Sequence, residues 1–237
     1  MNTAVRNLLE SYSNIVLLGE TGAGKSEVSL QMAEDLAAAY PERTVELFDL
    51  DQTKPLFRSR EAREAGFRIH AQRQIMDSPT AAAGVSAAIE DPDRLTLLDV
   101  GGGEQGARMI GQYRESLELS ESVVLFLINP YRIWSGSGGD VEETLREVMG
   151  PVSGLDRIIA ANPNFGPETT TEDVTEGVRI LRERLGMEPE LVCVPEWTAS
   201  EVSEMLSLPV LSIRLRLCTS RVEDMANQCT GGNRWER

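Results

Sequence analysis

Eight consecutive residues near the N-terminus, from Gly19 to Ser26, match the spacing Gly-x-x-x-x-Gly-Lys-Ser. Glycines at these positions allow successive backbone N–H groups to curl around an anion without side-chain clashes. The Lys25 ammonium can bridge the oxygens of neighbouring phosphates, and the Ser26 hydroxyl can ligate Mg²⁺. This segment, called the phosphate loop below, predicts a Mg²⁺-polyphosphate site that is built from Gly19, Glu20, Thr21, Gly22, Ala23, Gly24, Lys25 and Ser26.

The segments on either side of the phosphate loop have the periodicity that such a site needs. Asn14 to Leu18 is an apolar run typical of a fully buried strand. From Ser26 to Tyr40 the apolar residues recur at helical spacing, and Pro41 ends the pattern. The first turn of that helix would point its positive dipole end at the same anion. Strand, glycine-rich loop and helix in this order are the context that supports the motif.

A second apolar run ends in a carboxylate and three glycines. Leu97, Leu98 and Asp99 are followed by Val100 and then by Gly101 to Gly103. Asp99 is therefore our candidate for holding Mg²⁺, directly or through water. The backbone N–H of Gly102 could approach a γ-phosphate, and the glycines would let this loop move when the phosphate leaves. An ordinary Asp-Gly turn is the alternative.

Two further carboxylates, Asp49 and Asp51, follow the strand predicted at residues 44–50. Successive strand residues point to opposite faces, so the pair sends one carboxylate toward each face of the sheet. One of them could orient an attacking water, while the other caps a loop or helix. Together with Lys25, which can stabilise charge on a transferring phosphoryl group, they are the catalytic candidates.

The elements that must position these residues alternate along the chain. Strands are predicted at 14–18, 44–50, 94–100, 122–129, 156–162 and 190–194, and helices at 26–40, 54–65, 78–90, 105–117, 140–149, 171–185 and 198–208. Thr198 and Glu201 have the spacing of a capping box at the start of the last helix. The alternation predicts an α/β fold, with a mostly parallel, doubly wound sheet that has helices on both faces.

The segment after Pro209 fits two periods. Leu211, Ile213, Leu215 and Leu217 alternate as in a strand, but Leu211 also begins a helical stripe. The preceding proline and the length of the segment favour a helix. We therefore predict one nucleotide-binding domain over residues 1–215 and a tail over 216–237 that is helical and then frayed.

Composition narrows the class of protein. The chain has 237 residues, 41% of them apolar and 26% charged, which is typical of a globular protein. A net charge of −15 argues against general nucleic-acid binding. The longest apolar run, from Ser122 to Ile128, is far shorter than the ~20 residues of a membrane span. Three cysteines without a CxxC pair argue against a disulfide framework and favour a cytoplasmic protein. A single histidine argues against a multi-histidine metal site.

The order of these motifs resembles the MinD/ParA/CobQ-type (SIMIBI-like) branch of P-loop NTPases, with a three-layer sandwich, over residues 14 to about 215. The resemblance rests on the phosphate loop, the acidic pair, the Asp-x-Gly-Gly segment from Asp99 to Gly102, and the strand that ends in Asn162. It implies that Lys25 and Ser26 bind phosphate and Mg²⁺ and that Asp99 supports Mg²⁺. It further implies that Asp51 lies near the attacking water and that Asn162 faces the base.

Two departures from that branch bear on function. MinD and ParA loops have a lysine that reaches across a nucleotide-sandwich dimer, whereas this chain has Glu20 at that position. This replacement argues against a lysine that completes the site of a partner subunit, and homodimerisation stays an open alternative. The guanine-reading Asn-Lys-x-Asp segment is replaced by Asn162, Pro163, Asn164 and Phe165, which favours ATP over GTP.

These observations predict a Mg²⁺-dependent ATP-binding and ATP-hydrolysing switch that acts on an unidentified protein partner. A small-molecule kinase or ligase on the same core is the first alternative, and an adaptor that holds ATP or ADP without turnover is the second. The segment 210–237 has five arginines against three acidic residues. We expect its apolar stripe to pack on the sheet, and we expect no stable membrane binding.

Overall fold

The computed structural model describes residues 3–51, 66–71, 84–132 and 138–217. The strands are β1 (Asn14–Leu18), β2 (Thr44–Asp49), β3 (Arg68–Ala71), β4 (Arg94–Asp99), β5 (Ser122–Ile128), β6 (Asp156–Ala161), β7 (Leu191–Pro195) and β8 (Val210–Ile213). The helices are α1 (Thr3–Leu9), α2 (Lys25–Ala39), α3 (Val85–Ile89), α4 (Gly103–Gly111), α5 (Arg114–Glu118), α6 (Gly138–Met149), α7 (Thr171–Glu183) and α8 (Ala199–Met205).

All eight strands form one sheet in the order β3-β2-β4-β1-β5-β6-β7-β8, and every pairing is parallel. The predicted α/β class with a parallel sheet is therefore confirmed. β1 lies between β4 and β5, so the chain reverses its winding direction beside β1. Ligands of open α/β sheets bind at such a point, outside the carboxyl ends of the strands.

Alternating strand residues point into two apolar cores, one on each face of the sheet. Ile15 and Leu17 of β1 face one core, which also contains Val5 of α1 and Val28 of α2. Val16 and Leu18 face the other core, to which the helices from α3 to α8 contribute. Because both faces are covered, every residue of the central strands β1 and β5 is buried. The predicted three-layer arrangement is confirmed for the described elements.

The helix predicted after Pro209 is wrong, because residues 210–213 form the edge strand β8. Val210 pairs with Val192, and Ile213 pairs with Pro195, in parallel register with β7. The sequence of this segment fits both a helical and a strand period. Pairing with β7 selects the strand, because it satisfies backbone N–H and C=O groups at the edge of β7 that a helix would leave without partners. Of the predicted tail, only residues 216 and 217 lie within the described part of the chain.

Other local predictions were also corrected. The capping box at Thr198 is absent, because the Thr198 hydroxyl donates to the Pro195 carbonyl oxygen at 3.0 Å. A capping box forms instead at the start of α7, between Thr170 and Asp173. The helix predicted at 105–117 is divided into α4 and α5, and β3 and α1 were not predicted. The helix predicted at 54–65 lies outside the described residues, as does the first part of the one predicted at 78–90.

Candidate nucleotide site

The phosphate loop connects β1 to α2 and follows a path that only glycine tolerates at two of its positions. Gly19 has φ +139°, and a Cβ there would lie 2.4 Å from the Leu127 carbonyl oxygen. Gly24 has φ +95°, and a Cβ there would lie 2.1 Å from Nδ2 of Asn162. Such distances are far below van der Waals contact. The glycine spacing found in the sequence is therefore required by close approaches of neighbouring strand ends.

Lys25, the first residue of α2, is buried and faces the interior of the loop. Its Nζ donates to the carbonyl oxygens of Gly19 at 2.9 Å and Glu20 at 3.0 Å. An ammonium held over the loop by neutral carbonyls can exchange these contacts for anionic phosphate oxygens, which are stronger acceptors. The geometry therefore gives Lys25 a direct route to a bound polyphosphate.

Asp99 is the last residue of β4, and only 1% of its surface is exposed. Neither carboxylate oxygen has a hydrogen-bond partner among the described residues. Burial raises the pKa of Asp99 to about 7; the Asp49 and Asp51 charges act in the same direction, while the Ser26 hydroxyl and the Lys25 ammonium oppose them. The Ser26 hydroxyl thus lies close to Asp99 without meeting the geometry of a full hydrogen bond.

A buried carboxylate without partners is costly unless a cation neutralises it. Asp99 beside Ser26 is therefore a chemically suitable pair for Mg²⁺, which prefers oxygen ligands and commonly takes one or two from the protein and the rest from phosphates and water. In the described ranges, no group of three or more His, Cys, Asp or Glu side chains forms a metal cage.

Asp49 and Asp51 lie beside Asp99 at the same edge of the sheet. Asp49 is directly opposite Asp99 in the β2–β4 register, and its Oδ1 accepts the Asp51 N–H at 3.1 Å. Oδ1 of Asp51 lies 3.4 Å from where a Cβ on Gly101 would be. Asp49 thus supports the turn after β2, and Asp51 borders the glycine segment after β4. The water-orienting role of Asp51 stays a prediction.

The glycine segment after β4 lies directly on the phosphate loop. A Cβ on Gly102 would be 2.6 Å from the backbone nitrogen of Thr21. α4 begins at Gly103, so only Gly101 and Gly102 of the three glycines precede the helix. Glu20 points to the same place, because its carboxylate oxygen lies 3.5 Å from a Cβ position on Gly103.

Asn162, at the end of β6, contacts the phosphate loop from the other side. Its buried Nδ2 donates to the Ala23 carbonyl oxygen at 2.7 Å, and its Oδ1 accepts from Nδ2 of Asn164 at 3.4 Å. The side-chain amide therefore supports the loop from which α2 starts. The base contact implied for Asn162 stays a prediction.

Sequence reasoning missed two residues that complete the site. Arg132 donates from Nε to the Gly22 carbonyl oxygen at 3.2 Å. Asn129 donates from Nδ2 to the Asn164 carbonyl oxygen at 3.0 Å and thereby joins the segments after β5 and β6. For Asn129 the sequence did contain a signal, because it is a polar residue directly after the most apolar strand. The same signal identified Asp99 and Asn162.

Several known proteins are similar to this chain in sequence or in structure. No protein-family model matches the chain. A shikimate kinase from Streptomyces avermitilis is 28% identical over 185 residues, which is 70% of this chain and 95% of that kinase. The solved structure of the cell division protein FtsY from Thermotoga maritima is 14% identical, with a TM-score of 0.46 over 77% of this chain. This chain spans only 62% of the FtsY structure.

A nucleotide-binding protein from Archaeoglobus fulgidus, solved in complex with ADP, is also 14% identical; its TM-score is 0.41, over 78% of this chain and 83% of that one. These similarities transfer no residue role. The chain's own strand–loop–helix geometry and its parallel sheet are those of a P-loop α/β fold. Within the described ranges, no helix has both the length and the apolar character needed to cross a bilayer.

Proposed function

We propose that this protein binds Mg²⁺·ATP at the phosphate loop, hydrolyses it, and uses the nucleotide state as a switch toward a protein partner. The contact of Gly102 with Thr21 is the observation that carries the proposal. A γ-phosphate would arrive at the junction of these two segments. Because the segments already touch, binding or loss of that phosphate would move one against the other.

The chain's own residues divide the chemistry among them. Lys25 would leave the Gly19 and Glu20 carbonyls and neutralise charge on the γ-phosphate. Ser26 and Asp99 would hold Mg²⁺, which when bound offsets negative charge on the phosphate oxygens. Asp51, at the border of the glycine segment, would orient the attacking water. Gly102 would offer its backbone N–H to the phosphate.

Nucleotide titration of the wild type and of Lys25→Ala tests the binding site. The variant loses charge-assisted contacts, which typically contribute ~1.5–3 kcal/mol, so its affinity for Mg²⁺·ATP should fall roughly 10- to 150-fold. Arg182→Ala is the control, because it also removes one positive charge but from a surface pair with Glu188. Equal ATP affinity in Lys25→Ala and the wild type would show that the loop assignment is wrong.

Competition binding tests the choice of base. The position of a guanine-reading carboxylate holds Phe165, so we expect ATP to bind at least as well as GTP. A tenfold preference for GTP would overturn this expectation. Turnover should depend little on protein concentration, because Glu20 replaces the lysine that completes a partner's site in MinD-like dimers. A steep dependence that Glu20→Ala abolishes would establish a catalytic homodimer.

A small-molecule kinase is the second candidate, because the similarity to shikimate kinase covers nearly the whole length of that enzyme. In this case a substrate hydroxyl would take the place of water, and Asp51 would accept its proton. Phosphate release from Mg²⁺·ATP, measured alone and with a panel of hydroxylated metabolites that includes shikimate, separates the candidates. Release without an acceptor supports the switch, and transfer only with an acceptor supports the kinase. Tight ATP binding without either would indicate a non-hydrolysing adaptor.

A further inference from the structure

Three aromatic residues follow three neighbouring strands at the edge of the sheet that holds the phosphate loop. Tyr131 comes after β5, Phe165 after β6 and Trp197 after β7. The Tyr131 and Phe165 rings stack with their centroids 4.2 Å apart and their planes 26° apart. Phe165 is nevertheless 53% exposed and Trp197 49% exposed. Large aromatic faces are therefore open to solvent where α/β proteins bind their ligands.

Hydrogen bonds hold these rings in place. The Phe165 N–H donates to Oγ1 of Thr169 at 2.9 Å, and the indole N–H of Trp197 donates to the Thr169 carbonyl oxygen at 2.9 Å. Thr169 is itself buried. The Tyr131 hydroxyl donates to the carbonyl oxygen of Asp173 in α7. Exposed rings with anchored backbones and fixed polar atoms are preorganised, so a planar ligand would lose little free energy to ordering them.

The same segments are attached to the phosphate loop. Asn162, three residues before Phe165, donates to the Ala23 carbonyl oxygen. Arg132, next to Tyr131, donates to the Gly22 carbonyl oxygen. The aromatic rings and the anion-binding backbone are therefore connected to each other by short bridges on two sides. A ligand with a polyphosphate at one end and a flat ring at the other fits this arrangement.

We infer that Tyr131, Phe165 and Trp197 form an aromatic shelf that stacks on the purine base of the bound nucleotide. The inference rests on the proposed nucleotide binding and adds the residues that recognise the base. A phenyl ring cannot accept hydrogen bonds from a base edge, but it can stack on a base face. The shelf therefore selects the larger purine faces over pyrimidines and distinguishes little between adenine and guanine.

Parallel titrations with Mg²⁺·ATP, Mg²⁺·CTP and the base-free probe Mg²⁺·tripolyphosphate test the shelf. Phe165→Ala should weaken ATP binding by roughly 5- to 150-fold, the range expected from loss of one stacking contact. Its tripolyphosphate affinity should stay at the wild-type value. Phe165→Tyr should restore ATP binding. Met205→Ala is the control, since it removes another exposed apolar side chain, 62% exposed, from α8.

Each outcome has a separate meaning. Loss of ATP affinity with unchanged tripolyphosphate affinity, together with weaker CTP binding by the wild type, supports the shelf. Unchanged ATP affinity in both Phe165→Ala and Trp197→Ala overturns it and leaves the rings as a surface for another kind of partner. An equal loss for ATP and tripolyphosphate also overturns it, because the rings would then act only through the loop. If the wild type binds none of the three probes, the proposed nucleotide binding itself fails.

Discussion

Asp99→Asn should stabilise the nucleotide-free protein above pH 7 while abolishing its Mg²⁺-dependent nucleotide binding. The physical reason is the burial of a carboxylate whose oxygens have no hydrogen-bond partner among the described residues. In the folded protein its pKa is raised from 3.8 to about 7. Near pH 4 the unfolded chain releases this proton, whereas the folded chain keeps it until about pH 7. The folded state therefore loses stability as the pH rises through this window.

The size of the effect follows from the pKa shift. One pKa unit corresponds to about 1.36 kcal/mol, so the ionised Asp99 lowers the free energy of unfolding by on the order of 4 kcal/mol above pH 7. Asparagine cannot ionise, but its amide needs partners of its own, and their absence costs about 1–3 kcal/mol. Asp99→Asn should therefore be more stable than the wild type by about 1–3 kcal/mol at pH 8.5, with no such gain at pH 5.

Urea denaturation at pH 5 and pH 8.5, in the presence of a chelator, measures this difference. Asp91→Asn is the control, because this substitution should lower the free energy of unfolding instead of raising it. The Asp93 backbone N–H and Arg94 hold the pKa of Asp91 below its usual value, so ionised Asp91 stabilises the fold above its unfolded pKa and that stability is lost on acidification. Adding Mg²⁺·ATP should stabilise the wild type and leave Asp99→Asn unchanged. If Asp99→Asn is no more stable than the wild type at pH 8.5, the ionised Asp99 carboxylate does not destabilise the folded protein and the reasoning is wrong.

Three further predictions concern turnover and stability. Asp51→Ala should retain ATP affinity and lose turnover, because the proposed contact of Asp51 with the attacking water would matter only in the transition state; equal turnover would leave Asp49 as the residue to test. Gly24→Ala should lower the free energy of unfolding by about 2–5 kcal/mol, since left-handed strain adds to a clash with Asn162. Gly84 has a similar left-handed backbone, at φ +88°, but open space around it. In urea denaturation, Gly84→Ala should therefore lower the free energy of unfolding by only about 1–2 kcal/mol. Equal losses in the two variants would show that the clash with Asn162 does not contribute. Glu46→Gln should destabilise the fold by about 1–3 kcal/mol, because the buried carboxylate pairs with Arg94 at 2.9 Å; an unchanged urea midpoint would contradict this.

The local sequence determined the elements that have a strong period and a clear end. The boundaries of β1 were predicted to the residue, because four apolar residues, Ile15 to Leu18, directly precede a glycine-rich loop. β5 was predicted at 122–129 from its apolar run, and the strand found at Ser122–Ile128 lies beside β1. The phosphate loop was readable because its chemistry depends on residue types at fixed spacing, and those are properties of the sequence itself.

Tertiary structure decided what depends on distant partners. β8 has a pattern that fits both helix and strand, and only the open edge of β7 selects the strand. The side-chain amide of Asn162 donates to the carbonyl oxygen of Ala23, which is 139 positions away in the chain. Such pairings arise when strand ends meet across the sheet, so the neighbours of Asn162 in sequence contain no signal for them.

The electrostatic state of Asp99 was likewise decided by the fold. The sequence places an acid at the end of an apolar strand. It does not show that neither oxygen has a hydrogen-bond partner among the described residues, or that Asp49 lies opposite Asp99. Exposure of Phe165 is a property of the same kind, since an aromatic residue in a sequence is ordinarily expected to be buried. Burial, exposure and charge proximity depend on how separate strands come together, and that is why the chemistry of this site required the assembled sheet.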